Sequence, residues 1–161
     1  MIERMPISRM GFTRLRKELE QLERRERHDV IRAIEVAREH GDLKENAEYH
    51  AAKERQGHVE GRILELKDKL SRAEVIDCSD VSCNRAVFGT VVTMLDLDED
   101  IEVTYQLLGP AESDVEMGII SLQAPLGRSI LGKEVGDEVK VVTPGGIREF
   151  EIINIAAPEN D

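Results

Sequence analysis

Residues 49–73 read YHAAKERQGHVEGRILELKDKLSRA, and their apolar spacing decides the fold. Tyr49, Ala52, Gln56, Val59, Ile63, Leu66, Leu70 and Ala73 follow one another in alternating steps of three and four. That rhythm keeps one stripe of a helix facing a partner helix, as in the seam of a coiled coil. Upstream, Phe12, Leu15, Leu19 and Leu22 have helical spacing, as do Val30, Ala33, Ile34 and Ala37. Between Leu22 and Val30 the stripe thins, because Glu26 and Asp29 fall on seam positions, and a weak point in the packing is expected there. No proline lies between Pro6 and Pro110, so no residue of either helix forces a break. Two such helices joined by a short turn make an antiparallel coiled-coil hairpin. About 30 residues per arm give a rod of roughly 45 Å, longer than a small domain is wide. The turn at 41–49 is therefore expected to project away from the rest of the chain.

Charge divides the 161-residue chain in the same place. Residues 1–76 carry 17 basic and 16 acidic side chains, the balance of a solvated helical rod. Residues 77–161 carry 5 and 17, a surface that repels nucleic acid and suits docking on protein. Aromatic residues are few: Tyr49, Tyr105, Phe12, Phe88 and Phe150, with no tryptophan. The core must be aliphatic, and a pocket with aromatic walls is not expected. Met1-Ile2-Glu3-Arg4 opens no apolar run of the kind that begins a signal peptide. No stretch approaches the ~20 apolar residues of a membrane span, so a cytoplasmic protein without membrane contact is expected. Cys78 and Cys83 stand four residues apart, a spacing that is neither a zinc signature nor a disulfide framework, and free thiols are expected.

Three parts follow from these patterns: a hairpin over 1–76, a linker over 77–85, and a small antiparallel β domain over 86–161. Ala86–Leu95, Ile101–Leu108, Gly118–Leu122, Glu138–Val142 and Ile147–Ile155 are rich in valine, isoleucine and threonine and are expected as strands. Pro144-Gly145-Gly146 suits a hairpin turn between the last two. One short helix is expected at Leu126–Leu131, with Pro125 in its first turn and Gly132 after its end. The fold class is α+β.

The turn holds the chemistry. Asp42, Glu45 and Glu48 place three carboxylates within residues 41–49. Spacing alone favours a structural reading, in which Gly41 ends the first helix and Asp42 caps the second. Glu45, three residues on, then completes a capping box. Alternatively Asp42 and Glu45 point outward and hold a divalent cation. Magnesium is commonly held by one or two carboxylates and completed by other oxygen ligands. Two acids on an exposed tip cannot close such a site, so a partner would supply the remaining ligands, and no cofactor would be bound stably by the chain alone.

The stretch Ala37-Arg38-Glu39-His40-Gly41-Asp42-Leu43-Lys44-Glu45-Asn46-Ala47-Glu48-Tyr49-His50-Ala51-Ala52-Lys53 resembles the hairpin tip of the bacterial Gre-type transcript cleavage factors. The likeness continues through Gly61-Arg62 and resumes at Ile130-Leu131-Gly132-Lys133-Glu134-Val135-Gly136-Asp137 and Thr143-Pro144-Gly145-Gly146. It covers nearly the whole chain in order. The resemblance implies a monomeric elongation factor whose rod enters the secondary channel of bacterial RNA polymerase. There Asp42 and Glu45 would share a magnesium ion with the polymerase, which itself cleaves backtracked RNA. The factor would not be an enzyme. The family's basic patch matches Arg38 and Lys53 as contacts to the RNA 3′ end, and Arg55 is added for its nearness. The second half resembles the family's FK506-binding-protein-like domain, which implies docking on the polymerase rim through Gln123, Ala124 and Pro125. Many relatives have Ser-Pro there, and Ala124 is a poor helix cap.

Other readings carry less. His40, His50 and His58 form no zinc-binding H-E-x-x-H pattern. Asp96-Leu97-Asp98-Glu99-Asp100 starts like a calcium loop. Ile101 and Leu107 stand where that loop needs glycine and an acid, so an acidic hairpin turn is expected. A prolyl isomerase built on the β domain lacks its aromatic pocket. The main alternative is a channel occupant that inhibits or tunes polymerase without stimulating cleavage.

Overall fold

The computed structural model describes residues 3–42 and 44–159; the side chain of Asp80 and the tip residue Leu43 lie outside that description. The chain divides into two compact units, Thr13–Arg72 and a second unit formed by Met1–Phe12 with Ala73–Asp161. The start of the chain thus groups with the β half, beyond the expected 86–161.

The first strand, β1 (Met5–Ser8), leads into α1 (Arg9–Gln21). A π-helical turn (Leu22–Glu26) follows, then α2 (Arg27–Arg38), the tip, and α3 (Ala47–Arg72). The seam of α3 is as its spacing predicts: Ala52, Val59, Ile63 and Leu66 are buried. They face a first arm in which Val30, Ile34 and Ala37 are buried. The thin stretch has a specific solution. The Arg27 N–H bonds to the Leu22 carbonyl, five residues back rather than four. Such a turn inserts one residue into the helix and rotates everything after it. In an unbroken heptad Leu22 would be followed by Glu26 and Asp29 on the seam; instead Asp29 is exposed and Val30 is buried. The arm stays helical while its hydrophobic phase is corrected.

Ion pairs flank the corrected region. Arg27 grips Glu60 through two bonds of 2.8 and 2.9 Å, and Arg62 grips Glu18 at 2.7 and 3.0 Å. The Arg27 guanidinium holds the Glu60 carboxyl below the usual carboxylate range. Paired forks of this kind fix geometry between arms as well as adding attraction.

In the second unit, β2 (Ala73–Ile76) lies parallel to β1. This pair of four-residue strands was not expected. A five-stranded sheet follows, built from β3 (Val91–Asp96), β4 (Ile101–Leu108), β5 (Ile119–Ser121), β6 (Glu138–Thr143) and β7 (Gly146–Ala156). Its order is β5-β4-β3-β7-β6, antiparallel except for the β4–β5 pair, so the expected all-antiparallel domain is a mixed sheet. One helix, α4 (Pro125–Ile130), packs on β5 and β6. The core is aliphatic, around Val92, Met94, Leu107, Ile130, Val141 and Ile152, with Phe150 as its buried aromatic.

One difference from the expected strands has a local cause. Residues 86–90 are not strand: Gly89 has φ +92°, and Thr90 folds its hydroxyl back to donate to the Val87 carbonyl at 2.7 Å. That turn lays Gly89 over the buried Cys78, where any Cβ would press on the sulfur. Cys83, by contrast, is exposed.

Two buried carboxylates hold this unit's ends. Glu112 accepts the Ser8 N–H at 3.1 Å and the Ser8 hydroxyl, while Ser8 Oγ accepts the Gly11 N–H at 3.0 Å. A Cβ at Gly11 would overlap the Glu112 carboxylate, so glycine there permits the contact. Asp96 closes the acidic turn between β3 and β4. It accepts the N–H groups of Asp98 at 3.0 Å and Glu99 at 3.2 Å, and the Arg148 guanidinium. Burial pushes the Asp96 carboxyl up, but the Glu99 and Asp98 N–H groups and Arg148 together hold it below the ordinary aspartate value. The unfolded chain therefore binds this proton more readily than the folded one. Asp96 contributes stability above about pH 4, the ordinary aspartate value, and loses it as pH falls through its lower folded value. Urea midpoints of wild type and Asp96→Asn should differ at pH 7 and converge toward pH 2. A constant difference would show that the carboxylate's charge is irrelevant to the turn.

Candidate functional site at the hairpin tip

The two helix ends define the tip. α2 unwinds through bonds from the Glu39 and His40 N–H groups to the Val36 and Ala37 carbonyls, each 3.2 Å. Gly41 follows with φ +113°, a conformation that favours glycine and turns the chain out of the helix. The second helix does not begin at Asp42 as the capping-box spacing predicts; it begins at Ala47.

Asn46 is its cap. Asn46 Oδ1 accepts the Tyr49 N–H at 3.0 Å, three residues into the turn, as an N-cap does. The other end of the same amide donates from Nδ2 to the Ala37 carbonyl at 2.6 Å, across the tip. A carboxylate could have capped α3 but could not donate to Ala37. This explains why the D-x-x-E pattern at 42–45 misled, whereas asparagine, an equally good cap, could have been recognised at 46.

With Asn46 capping α3, the acids are released from that task. Asp42 is exposed, and its Oδ1 accepts the Lys44 N–H at 3.0 Å in a local turn. Glu45 is exposed and has no hydrogen-bond or ion-pair partner among the described residues. His40, Asp42, Glu45, Asn46 and Glu48 border one open depression. Glu48, the third acid, lies 3.8 Å from His40 Nε2, and His50 Nε2 lies 3.0 Å from the Lys44 carbonyl. No group of three His, Cys, Asp or Glu among the described residues is arranged to hold a metal. The donors at the tip are hard oxygens of the kind magnesium takes, but they amount to part of a coordination shell.

The cations separate into two kinds. Arg38 lies over the Tyr49 ring, 5.9 Å from its centre, and Lys53 stands one turn beyond Tyr49 on the same helix face. Both are exposed, and Lys53 donates to Gln56 at 3.1 Å. Arg55 is instead engaged with Glu26 at 2.8 Å, across the hairpin. That bond gives Arg55 a structural task.

In the second unit Gln123 and Pro125 are exposed and Ala124 is half-buried. Ala124 occupies the cap position of α4 without a side-chain bond, and Ser121 Oγ accepts the Gln123 N–H at 3.0 Å just before it. Gly127 lets α4 close on that segment: a Cβ there would overlap the Ser121 carbonyl oxygen and lie 2.9 Å from its carbon. Neither Ser121 nor Gly127 stood out in the sequence. No described helix is long and apolar enough to cross a membrane.

Comparison with known proteins gives a consistent result. Residues 5–75 match the family described as "Transcription elongation factor, N-terminal", and residues 81–157 match "Transcription elongation factor, GreA/GreB, C-term". The chain is 68% identical over 155 residues to transcription elongation factor GreA of Desulfotalea psychrophila, covering 96% of each. It is 51% identical over 154 residues to GreA of Caulobacter sp. strain K31, covering 96% of this chain and 98% of that protein. Among solved structures, GreA factor homolog 1 protein of Thermus thermophilus aligns at 29% identity and TM-score 0.45, covering 96% of this chain and all of that one.

Proposed function

The chain belongs to the GreA/GreB transcription elongation factor family, and from that premise we propose that it acts on bacterial RNA polymerase by inserting its hairpin tip into the secondary channel. At the polymerase active centre Asp42 and Glu45 add two carboxylates to those already there. The polymerase then cleaves its own backtracked RNA, and elongation resumes from the new 3′ end. The factor contributes ligands and is not itself an enzyme. A magnesium ion shared with the polymerase supplies Lewis-acid charge stabilisation and an activated water for attack on the phosphodiester. Arg38 and Lys53 contact phosphates of the displaced RNA 3′ segment, which the acids alone would repel. Gln123, Ala124 and Pro125 dock on the channel rim, and the acidic second half keeps that unit off nucleic acid. The factor works as a monomer in the cytoplasm.

One observation carries this reading: Asn46 caps α3, so Asp42 and Glu45 remain exposed at the tip with no helix end to finish. The test mixes the protein with stalled, backtracked elongation complexes and magnesium. Short 3′ fragments should be released faster than by polymerase alone. Absence of fragments above that background overturns the proposal, and reduced synthesis without fragments would identify a channel occupant instead.

A further inference from the structure

We propose that Asn46 is a positioning residue for the acidic tip, acting through the bond that its amide donates to the Ala37 carbonyl. The inference rests on the reading of Asp42 and Glu45 just given and extends it to the residue that holds them in place. Capping α3 requires only an acceptor, and Oδ1 provides one for the Tyr49 N–H. The Nδ2 donor is a separate element. It reaches the Ala37 carbonyl at 2.6 Å, alongside the His40 N–H at 3.2 Å on the same oxygen. Ala37 is itself buried in the seam, so the bond ends on a fixed point of the first arm. The segment between these two points contains both Asp42 and Glu45. Its other described contacts are local or run to the first turn of α3: Gly41 N–H to Arg38 at 3.5 Å, Lys44 N–H to Asp42 at 3.0 Å, the His50 ring to the Lys44 carbonyl, and His40 Nε2 3.8 Å from Glu48. Asn46 therefore supplies the one described side-chain bond from the far end of this segment back to the first arm. A partner-completed site depends on where its lent ligands stand, and misplacement by about 1 Å can cost a hundredfold in rate.

The chemistry of the amide makes the proposal separable from helix capping. Asn46→Ser and Asn46→Asp both keep an acceptor for the Tyr49 N–H, and neither can donate to the Ala37 carbonyl in the manner of the amide. In the free protein, hydrogen exchange followed by NMR should show the Tyr49 amide still protected in both variants. The His40 and Lys44 amides should exchange at least about fivefold faster. Unchanged protection at His40 and Lys44 overturns the proposal. With backtracked polymerase complexes, displacement of labelled wild-type factor should report affinity within about twofold of wild type. RNA cleavage at saturating factor should fall about ten- to a hundredfold, and half-maximal cleavage should require more magnesium. Wild-type cleavage rates and magnesium dependence in both variants overturn the proposal. Faster tip exchange in the variants, with a wild type that releases no RNA fragments, supports the Asn46 bond and overturns the cleavage reading instead.

Discussion

Asp42→Asn and Glu45→Gln should each reduce stimulated RNA cleavage by at least about a hundredfold while leaving the hairpin's thermal stability within about 0.5 kcal/mol of wild type. The first half of this result follows from charge. Amides keep the size of the side chains but are far weaker ligands for a divalent ion, and changes even one shell further out commonly cost 10–100-fold. The second half follows from the tip geometry. Removing a helix cap ordinarily costs about 1 kcal/mol; because asparagine caps as well as aspartate, that loss would appear in Asp42→Ala if Asp42 capped α3. Among the described residues Asn46 holds that position, Asp42 bonds only the Lys44 N–H, and Glu45 has no partner. Cleavage assays on these two variants, with calorimetry on Asp42→Ala and Glu45→Ala beside them, separate the roles. Normal cleavage with a lowered melting temperature would return both acids to structure.

Gly127→Ala should lower the stability of the second unit by about 3 kcal/mol, at the upper end of what overpacking costs. The added methyl meets backbone, the Ser121 carbonyl oxygen and carbon and the Leu122 Cα at 3.2 Å, so no side chain can rotate away. α4 must move off β5, carrying with it Ile130, which is fully buried in the core. A unit of about 100 residues should lose about 12–24 °C in the melting temperature of its own transition. Unfolding of the hairpin unit, followed separately by helical signal, should not move. Because Gln123 and Ala124 lead directly into α4, which begins at Pro125, affinity for polymerase should fall in the same variant. An unchanged melting temperature would mean that α4 does not approach Ser121 so closely.

Much of this architecture was legible because it is periodic. The α3 seam from Ala52 to Leu66 follows from steps of three and four, and β4 at Ile101–Leu108 was readable from composition. The missed features lack a period. β1 and β2 are four residues each and pair across the whole hairpin, and nothing local at Met5–Ser8 announces a partner at Ala73–Ile76. Val87 and Phe88 have strand-forming side chains, yet the backbone at Gly89 takes a turn that only tertiary packing on Cys78 explains. The π-helical turn was half visible: Glu26 and Asp29 on the seam signalled a conflict, but not that one inserted residue would resolve it. At the tip, the acids were found through their charge and the family resemblance. Asn46 was missed because a neighbouring D-x-x-E pattern offered the same capping grammar with a stronger signature.

The parallel pairing of β1 with β2 also sets an order of events in folding. Joining Met5–Ser8 to Ala73–Ile76 in an unfolded chain means closing a loop of about 64 residues, at an entropic cost near 4 kcal/mol before any contact repays it. The helical hairpin removes most of that cost, since α1 and α3 run back alongside each other and return the chain ends to one place. Its contacts are also the more local ones, which form early. The short strands then form a clasp that costs least to fasten once the hairpin has formed, and Ser8, the last residue of β1, carries it on to Glu112.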